Sequence, residues 1–219
     1  MDNLLIQALK EFPLIQPGDN LSSIILESCK HNKFILEDDD IIVIAQKVVS
    51  KSENRYKNLL EIKPSKQATN LALSLNRDPA FIQLILNESN EIISTDKNVI
   101  IVEHKLGFIN INAGIDRSNI PENKNLVLLL PEDPSSSSQK IYEDISSKIE
   151  KNISVIITDS MTRPYRSGVM NFALASTNIQ SLIDLKGEKD IYGNILQATE
   201  IAIADELATA SGLLMGQGN

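Results

Sequence analysis

The run Ser154-Val155-Ile156-Ile157-Thr158 breaks off abruptly at Asp159 and gives way to Ser160-Met161-Thr162-Arg163-Pro164-Tyr165-Arg166-Ser167-Gly168. β-Branched residues lose rotamer freedom in a helix and pack well on a pleated surface. The run therefore predicts a strand with its interior buried on both faces, ending at Asp159. Such a strand would deliver a carboxylate, a hydroxyl and the guanidiniums of Arg163 and Arg166 to one rim. A second carboxylate has a comparable setting, Asp116 in Asn112-Ala113-Gly114-Ile115-Asp116-Arg117-Ser118-Asn119. Acids at strand or turn ends, with arginines and hydroxyls nearby, suit metal-assisted chemistry on phosphate. Strand-end aspartates also serve as plain turn caps, and both readings stand at this level.

Other segments fix the fold class. Ile41-Ile42-Val43-Ile44-Ala45 and Leu126 to Leu130 read as further buried strands, and Val99 to Val102 with Phe108 to Ile111 as a hairpin. In that hairpin His104 is expected as a surface residue of the turn. Pro17-Gly18-Asp19 forms a turn whose aspartate is expected to cap a helix carrying Leu21, Ile24, Ile25 and Ser28 on one face. Ser65 and the Asp78-Pro79 pair are helix starts. Helices are also expected after Pro134, from the Ile141, Ile145 and Ile149 spacing, and from Thr199 to Met215, with Gly216 closing the last. Glu37-Asp38-Asp39-Asp40 reads as a solvated acidic turn, with a metal site the less favoured alternative. Strands and helices alternate irregularly, which favours a mixed α+β sheet over a strictly parallel one. No repeat and no clear domain linker is evident, so residues 1–219 read as one domain. The chain stops just after a helix end at Gly216-Gln217-Gly218-Asn219, and the expectation is that it continues past residue 219 in the full-length protein.

Composition narrows the function classes. Lys+Arg 21 against Asp+Glu 29 leaves a net charge of −8, which argues against non-specific nucleic-acid binding. Charge is uneven, however, with Lys47, Lys51, Arg55 and Lys57 clustered around Glu53 alone. The segment Ala45 to Arg55 follows a strand and reads as a basic loop, whose lysines would either meet a nucleotide phosphate or stay solvated. It is not a Walker A loop, because the glycines are absent. The lone Cys29 rules out an intrachain disulfide, fits a cytoplasmic location and reads as packing. No run reaches the ~18 apolar residues of a membrane span. His31 and His104 are isolated, so no zinc spacing exists. Asp116 and Asp159, helped by a hydroxyl such as Ser160 and an amide such as Gln217, would suit Mg²⁺ or Mn²⁺. Arg163 and Arg166 read as an anion clamp or as salt-bridge partners, and Tyr192-Gly193 after Asp190 as a binding loop or a turn.

Taken in order along the chain, these segments resemble the coenzyme F(420)-0:L-glutamate ligase family, the F(420)-0:γ-glutamyl ligases. The marks are Phe12-Pro13-Leu14-Ile15 with Pro17-Gly18-Asp19; Ala45-Gln46-Lys47-Val48-Val49-Ser50-Lys51; and Gly107-Phe108 with Asn112-Ala113-Gly114-Ile115-Asp116 and Ser118-Asn119. Leu129-Leu130-Pro131 with Asp133-Pro134, Val155-Ile156-Ile157-Thr158-Asp159, Asp190-Ile191-Tyr192-Gly193, Ala204-Asp205-Glu206-Leu207-Ala208 and Leu214-Met215-Gly216 complete them. The resemblance implies an α+β fold of mixed, largely antiparallel sheets with helices in a two-part, dimer-forming subunit. It implies joining of L-glutamate to a deazaflavin coenzyme precursor through γ-linkages, with GTP and two Mg²⁺ or Mn²⁺ ions, and K⁺ as a further candidate ion. Asp116 and Asp159 then match the metal-binding, catalytic carboxylates, with Ser160 and Gln217 as partners for a second ion. Phe12, Pro13, Leu14, Ile15, Gln46, Lys47, Lys51 and Asn119 match positions lining the GTP site. Met215, Gly216, Gln217, Gly218 and Asn219 match the start of a glycine-rich segment that also touches nucleotide. The chain departs from the family at Thr162, Asn171, Ser176 and Asn178, where glycines are usual, and at Asn194, where an arginine is usual. Those departures bear on the deazaflavin pocket rather than on the metal positions. Alternatives to the ligase are a metal-dependent nucleotide phosphohydrolase and a non-catalytic nucleotide-binding relative.

Overall fold

The computed structural model describes residues 3–96 and 99–217. Along the chain run α1 (Leu21–His31), β1 (Ile41–Ala45), α2 (Gln46–Ser52), β2 (Tyr56–Asn58), α3 (Lys66–Leu75), α4 (Pro79–Asn87), β3 (Ser89–Asp96), β4 (Val99–His104), β5 (Ile109–Ile111), β6 (Leu126–Leu128), α5 (Pro134–Ile149), β7 (Ser154–Arg163), β8 (Arg166–Thr177), β9 (Ile183–Asp184), β10 (Glu200–Ile201) and α6 (Ile203–Met215). Two compact units result, Met1–Ser52 with Pro131–Asn219 and the intervening Glu53–Leu130. The fold is α+β, and most strand pairs are antiparallel.

The first unit is organised by a sheet in the order β1-β7-β8. β1 and β7 run parallel, from Ile41 opposite Ser154 to Ala45 opposite Thr158. The apolar run of β7 is buried on both faces, as its composition predicts. Val155 and Ile157 join a core formed with Leu21 and Ile25 of α1 and Ile141 and Ile145 of α5. Ile156, between them, packs on the other face against Ala204 and Ala208 of α6. The period of two along a strand thus sorts consecutive residues into separate layers.

Three sequence expectations need correction here. β7 does not end at Asp159 but continues to Arg163 and turns into β8, with Asp159 opposite Phe172 and Ser160 opposite Asn171. Polar residues can extend a strand when a partner strand satisfies its backbone, and β8 does so. The basic segment after β1 is also not a loop. It forms α2, whose Val49 and Ser50 are buried at 1% and 0% exposure. At the start of α1 the cap is Asn20, which accepts the Ser23 N–H at 2.9 Å, whereas Asp19 closes the preceding turn by accepting the Gln16 N–H at 2.7 Å.

The second unit packs α3 and α4 against a β3-β4-β5 sheet and a β2-β6 ribbon, around Phe81, Ile82, Ile85, Ile100 and Val102. The β4–β5 hairpin and the Ser65 and Asp78 caps are as expected. β3 is an addition. Its sequence Ser-Asn-Glu-Ile-Ile-Ser-Thr-Asp is largely exposed and owes its extension to pairing with β4. His104 departs most from expectation. It is 3% exposed and stacked on Phe108 with ring centroids 5.2 Å apart. Its Nδ1 accepts the Leu106 N–H at 3.0 Å, so the neutral ring carries its proton on Nε2. Burial first, then the positive charges of Lys105 and Arg55, push its pKa down to about 4.

Candidate active site

In the first unit the site starts where β1 stops. Ala45 is the last residue of β1 paired to β7, opposite Thr158. The residues that follow are Gln46, at the start of α2, and Asp159, within β7. Ligands of parallel strands characteristically lie beyond the strands' carboxyl ends, because backbone and side-chain polar groups converge there. Gln46 and Lys47 thus open α2 beyond the end of β1, and Asp159 and Ser160 follow the last residue of β7 that pairs with β1. Asp159 and Ser160 are half-buried, as are Lys47 and Lys51. Lys47 and Lys51 stand four apart and share one face of α2. Gln46 is 2% exposed, and its Oε1 accepts the Ser50 hydroxyl at 2.9 Å, so part of its amide serves to anchor the helix.

The segment Phe12 to Ile15 precedes α1 in the same unit. Phe12 and Ile15 face the core, Ile15 at 5% exposure, and Leu14 is 84% exposed. The turn that follows is tied to α2, because the Gly18 N–H donates to the Ser52 carbonyl at 2.8 Å. Met215 ends α6, and Gly216 terminates it at φ 65° as expected. Gln217 is exposed, while Gly218 and Asn219 lie outside the described residues. Arg163 and Arg166 face each other across the tip of the β7–β8 hairpin rather than along a loop, and the Arg163 Nε is buried without a hydrogen-bond partner. Asp190 accepts the N–H groups of Tyr192 and Asn194 at 2.9 and 2.8 Å, so the Tyr192-Gly193 segment is a side-chain-closed turn.

The second unit carries Asp116 and Asn119. Asn112, Ala113 and Gly114 have φ of 51°, 54° and 64°, a rare succession of left-handed residues. Left-handed alanine is costly, by ~1–3 kcal/mol for a non-glycine residue, and persists only where its surroundings fix it. Ala113 is 1% exposed, and a Cβ added to Gly114 would stand 3.0 Å from Leu130 Cδ1. Asp116 then pairs with Leu128 through both backbone groups, at 2.9 and 3.0 Å, and its side chain is half-buried. Asn119 is exposed at φ 55°. Arg117 does not join an anion site, because its guanidinium lies over the Phe81 ring at 4.2 Å from the centroid. Burial lowers its pKa, with Asp78 opposing that shift and Arg77 adding to it.

The basic cluster read from the sequence is therefore divided. Lys47 and Lys51 belong to α2. Arg55 works inside the second unit, donating through Nε to the Leu130 carbonyl at 2.8 Å and pairing with Glu88 at 3.3 Å. Asp159 belongs to the first unit and Asp116 to the second. Among the described residues, no group of three or more His, Cys, Asp or Glu forms a metal cage. The candidate donors are carboxylate, hydroxyl and amide oxygens, a hard set that fits Mg²⁺ or Mn²⁺ and leaves coordination positions for phosphate oxygens and water.

Comparison with known families decides what kind of chain this is. The family model described as F420-0:Gamma-glutamyl ligase matches residues 10–219. The chain belongs to that family. Among its relatives, the coenzyme F420:L-glutamate ligase of Methanothermobacter thermautotrophicus is 40% identical over 207 residues, covering 94% of this chain and 81% of the relative. The protein of that name from Methanocaldococcus jannaschii is 41% identical over 211 residues, covering 95% and 81%. The Methanosarcina mazei protein is 41% identical over 211 residues, covering 96% and 80%. The chain is thus an enzyme of a ligase family, and among the described residues no helix is long and apolar enough to cross a membrane.

Proposed function

We propose that this chain joins L-glutamate to the deazaflavin coenzyme precursor F(420)-0 in coenzyme F420 biosynthesis, with GTP as the energy source, and then adds glutamate through γ-linkages. Relatives about 40% identical over almost the whole chain carry the matching name. The observation that supports the phosphate chemistry is the β1–β7 pairing, which ends at Ala45 and Thr158 and is followed on one side by Gln46 and Lys47 of α2 and on the other by Asp159 and Ser160 of β7.

A carboxylate oxygen is a poor leaving group, so direct amide formation is slow. Transfer of the GTP γ-phosphoryl to the acceptor carboxylate gives an acyl phosphate and GDP. The glutamate α-amine then attacks the acyl carbon. The new C–N bond forms, the C–O bond to phosphate breaks, inorganic phosphate leaves, and the amine gives up its proton. Phosphoryl transfer rests mainly on in-line positioning and neutralisation of charge. Lys47 and Lys51 supply fixed positive charge from one helix face, and Arg163 and Arg166 supply it from the hairpin tip. Phe12 to Ile15, Asn119 and the segment starting at Met215 bind the nucleotide. Asp116, Asp159, Ser160 and Gln217 would hold Mg²⁺ or Mn²⁺, with K⁺ as a further candidate. When bound there, divalent cations would offset the negative charge of the phosphate oxygens. The enzyme is proposed to act as a cytoplasmic homodimer.

The test is GDP release with GTP, Mn²⁺ and F(420)-0, with and without glutamate, followed by mass spectrometry of the acceptor. Release that needs glutamate, with glutamyl masses added, is expected. GTP hydrolysis indifferent to glutamate would make the chain a nucleotide phosphohydrolase, and binding of GTP without turnover would make it a non-catalytic relative.

A further inference from the structure

β8 borders the β1-β7-β8 sheet, so the side away from β7 presents backbone groups without a strand partner. α6 takes up two of them. The Asp205 Oδ1 accepts the Ala173 N–H at 2.8 Å, and the Thr209 hydroxyl donates to the Asn171 carbonyl at 2.7 Å. Asp205, Thr209 and Gly212 are spaced i, i+4, i+7 and so share one face of the helix. Gly212 lets that face come close, because a Cβ there would stand 2.8 Å from Asn171 Nδ2 and 2.9 Å from its Cγ. Asn171 is itself only 8% exposed, so it has little room to yield.

The gripped stretch of β8 is the one that faces the site. Thr158 is opposite Ala173, Asp159 opposite Phe172 and Ser160 opposite Asn171. An irregularity follows it directly along β8, because Ile157 pairs with Ala175 and leaves Leu174 as the extra residue. Bulges of this kind leave a residue unpaired and re-aim the strand, and they recur beside active sites. On the other side Thr158 donates its hydroxyl to the Phe172 carbonyl at 2.9 Å. The Ala173 N–H held by Asp205 is therefore at the bulge, next to the pairing that aims Asp159.

We propose that Asp205 is a positioning residue. By holding the Ala173 N–H at the bulge, with Thr209 on the Asn171 carbonyl, it fixes β8 and hence the orientation of Asp159 and Ser160 relative to the last turn of α6. The claim rests on the assignment of Asp159 to the reaction, and it assigns Asp205 no contact with substrate.

The experiment compares Asp205→Ala with Asp205→Asn in the purified enzyme, reading kcat and KM for F(420)-0 together with amide exchange at Ala173. An asparagine oxygen can accept the same N–H, and alanine cannot. A geometric displacement of about 1 Å costs roughly 100-fold in rate. Asp205→Ala is expected to lose on the order of 10- to 100-fold in kcat with KM little changed. Its Ala173 amide should exchange faster. Asp205→Asn is expected to restore most of the rate and the protection. An asparagine variant as inactive as the alanine one would overturn the proposal, because it would mean the carboxylate acts through its charge. So would an alanine variant at the wild-type rate. If Asp205→Ala does not fold, Thr209→Val reads the neighbouring grip, and an unchanged kcat there overturns the proposal. If the wild-type enzyme adds no glutamate, the functional reading fails instead, and the exchange difference between the two Asp205 variants still tests the grip.

Discussion

Asp159 and Asp116, the two carboxylates of the proposed reaction, are held in contrasting ways, one in each unit. Asp159 rides on a regular strand whose preceding residues, Val155, Ile156 and Ile157, are each 0% exposed and are packed from both faces. Asp116 follows the left-handed succession Asn112-Ala113-Gly114 and is then pinned by its backbone pairing with Leu128. One carboxylate is held by burial of apolar surface, which is strong and non-directional. The other is held by local backbone strain that the surrounding unit must offset. The first arrangement should tolerate changes at the polar rim and fail when its core is cut. The second should be sensitive to single backbone substitutions.

The largest effect should appear when the carboxylates themselves change. Asp159→Asn and Asp116→Asn should each lower kcat about 100- to 1,000-fold, on the order of 3–4 kcal/mol of transition-state stabilisation, with the circular dichroism of the wild type. If only one does so, the symmetric role assigned to the pair is wrong. Beneath Asp159, Ile156→Ala removes a fully buried side chain shared with Ala204 and Ala208. It should cost about 2–5 kcal/mol in chemical denaturation, and a loss under ~1 kcal/mol would show that the strand is not held by its core.

In the unit that carries Asp116, acid should act through His104. Its folded pKa of about 4 lies below the ordinary 6.5, so between those values the unfolded chain binds the proton and the native ring does not. Stability is therefore full above about pH 6.5 and falls as pH drops toward 4. The contribution is on the order of 3 kcal/mol, and His104→Asn should flatten that part of the stability–pH curve. An unchanged curve would show that the ring is not desolvated. The smallest expected effect is at the strained turn. Gly114→Ala places a Cβ at φ 64° and 3.0 Å from Leu130 Cδ1, and should destabilise by ~1–3 kcal/mol in thermal unfolding. A neutral result would mean that the turn relaxes freely and does not constrain Asp116.

The same contrast explains what could be read from the sequence. The β7 core was legible because β-branched apolar runs have one good use, a strand buried on both faces. Helices beginning at Ser65 and Asp78 were legible because their caps are local. α2 was missed because a short helix without a capping signal has the polar composition of a loop, and its Val48-Val49 pair is too brief for a period to emerge. β3 was missed because a partner strand, not its own residues, makes it extended. The continuation of β7 past Asp159 was missed for the same reason, since β8 satisfies the backbone of a polar segment. The hairpin context of His104 predicts a surface position, and nothing local to it signals burial on Phe108. The grip of Asp205 and Thr209 had only their spacing of four as a signal, which specifies a common face and not what that face touches.

The most direct test of the whole account is mass spectrometry of F(420)-0 after incubation with enzyme, GTP, L-glutamate and Mn²⁺, run in parallel on wild type and Asp159→Asn. Glutamyl additions by the wild type, and additions about 100- to 1,000-fold slower by a folded Asp159→Asn variant, are expected. Additions by that variant at the wild-type rate would contradict the account.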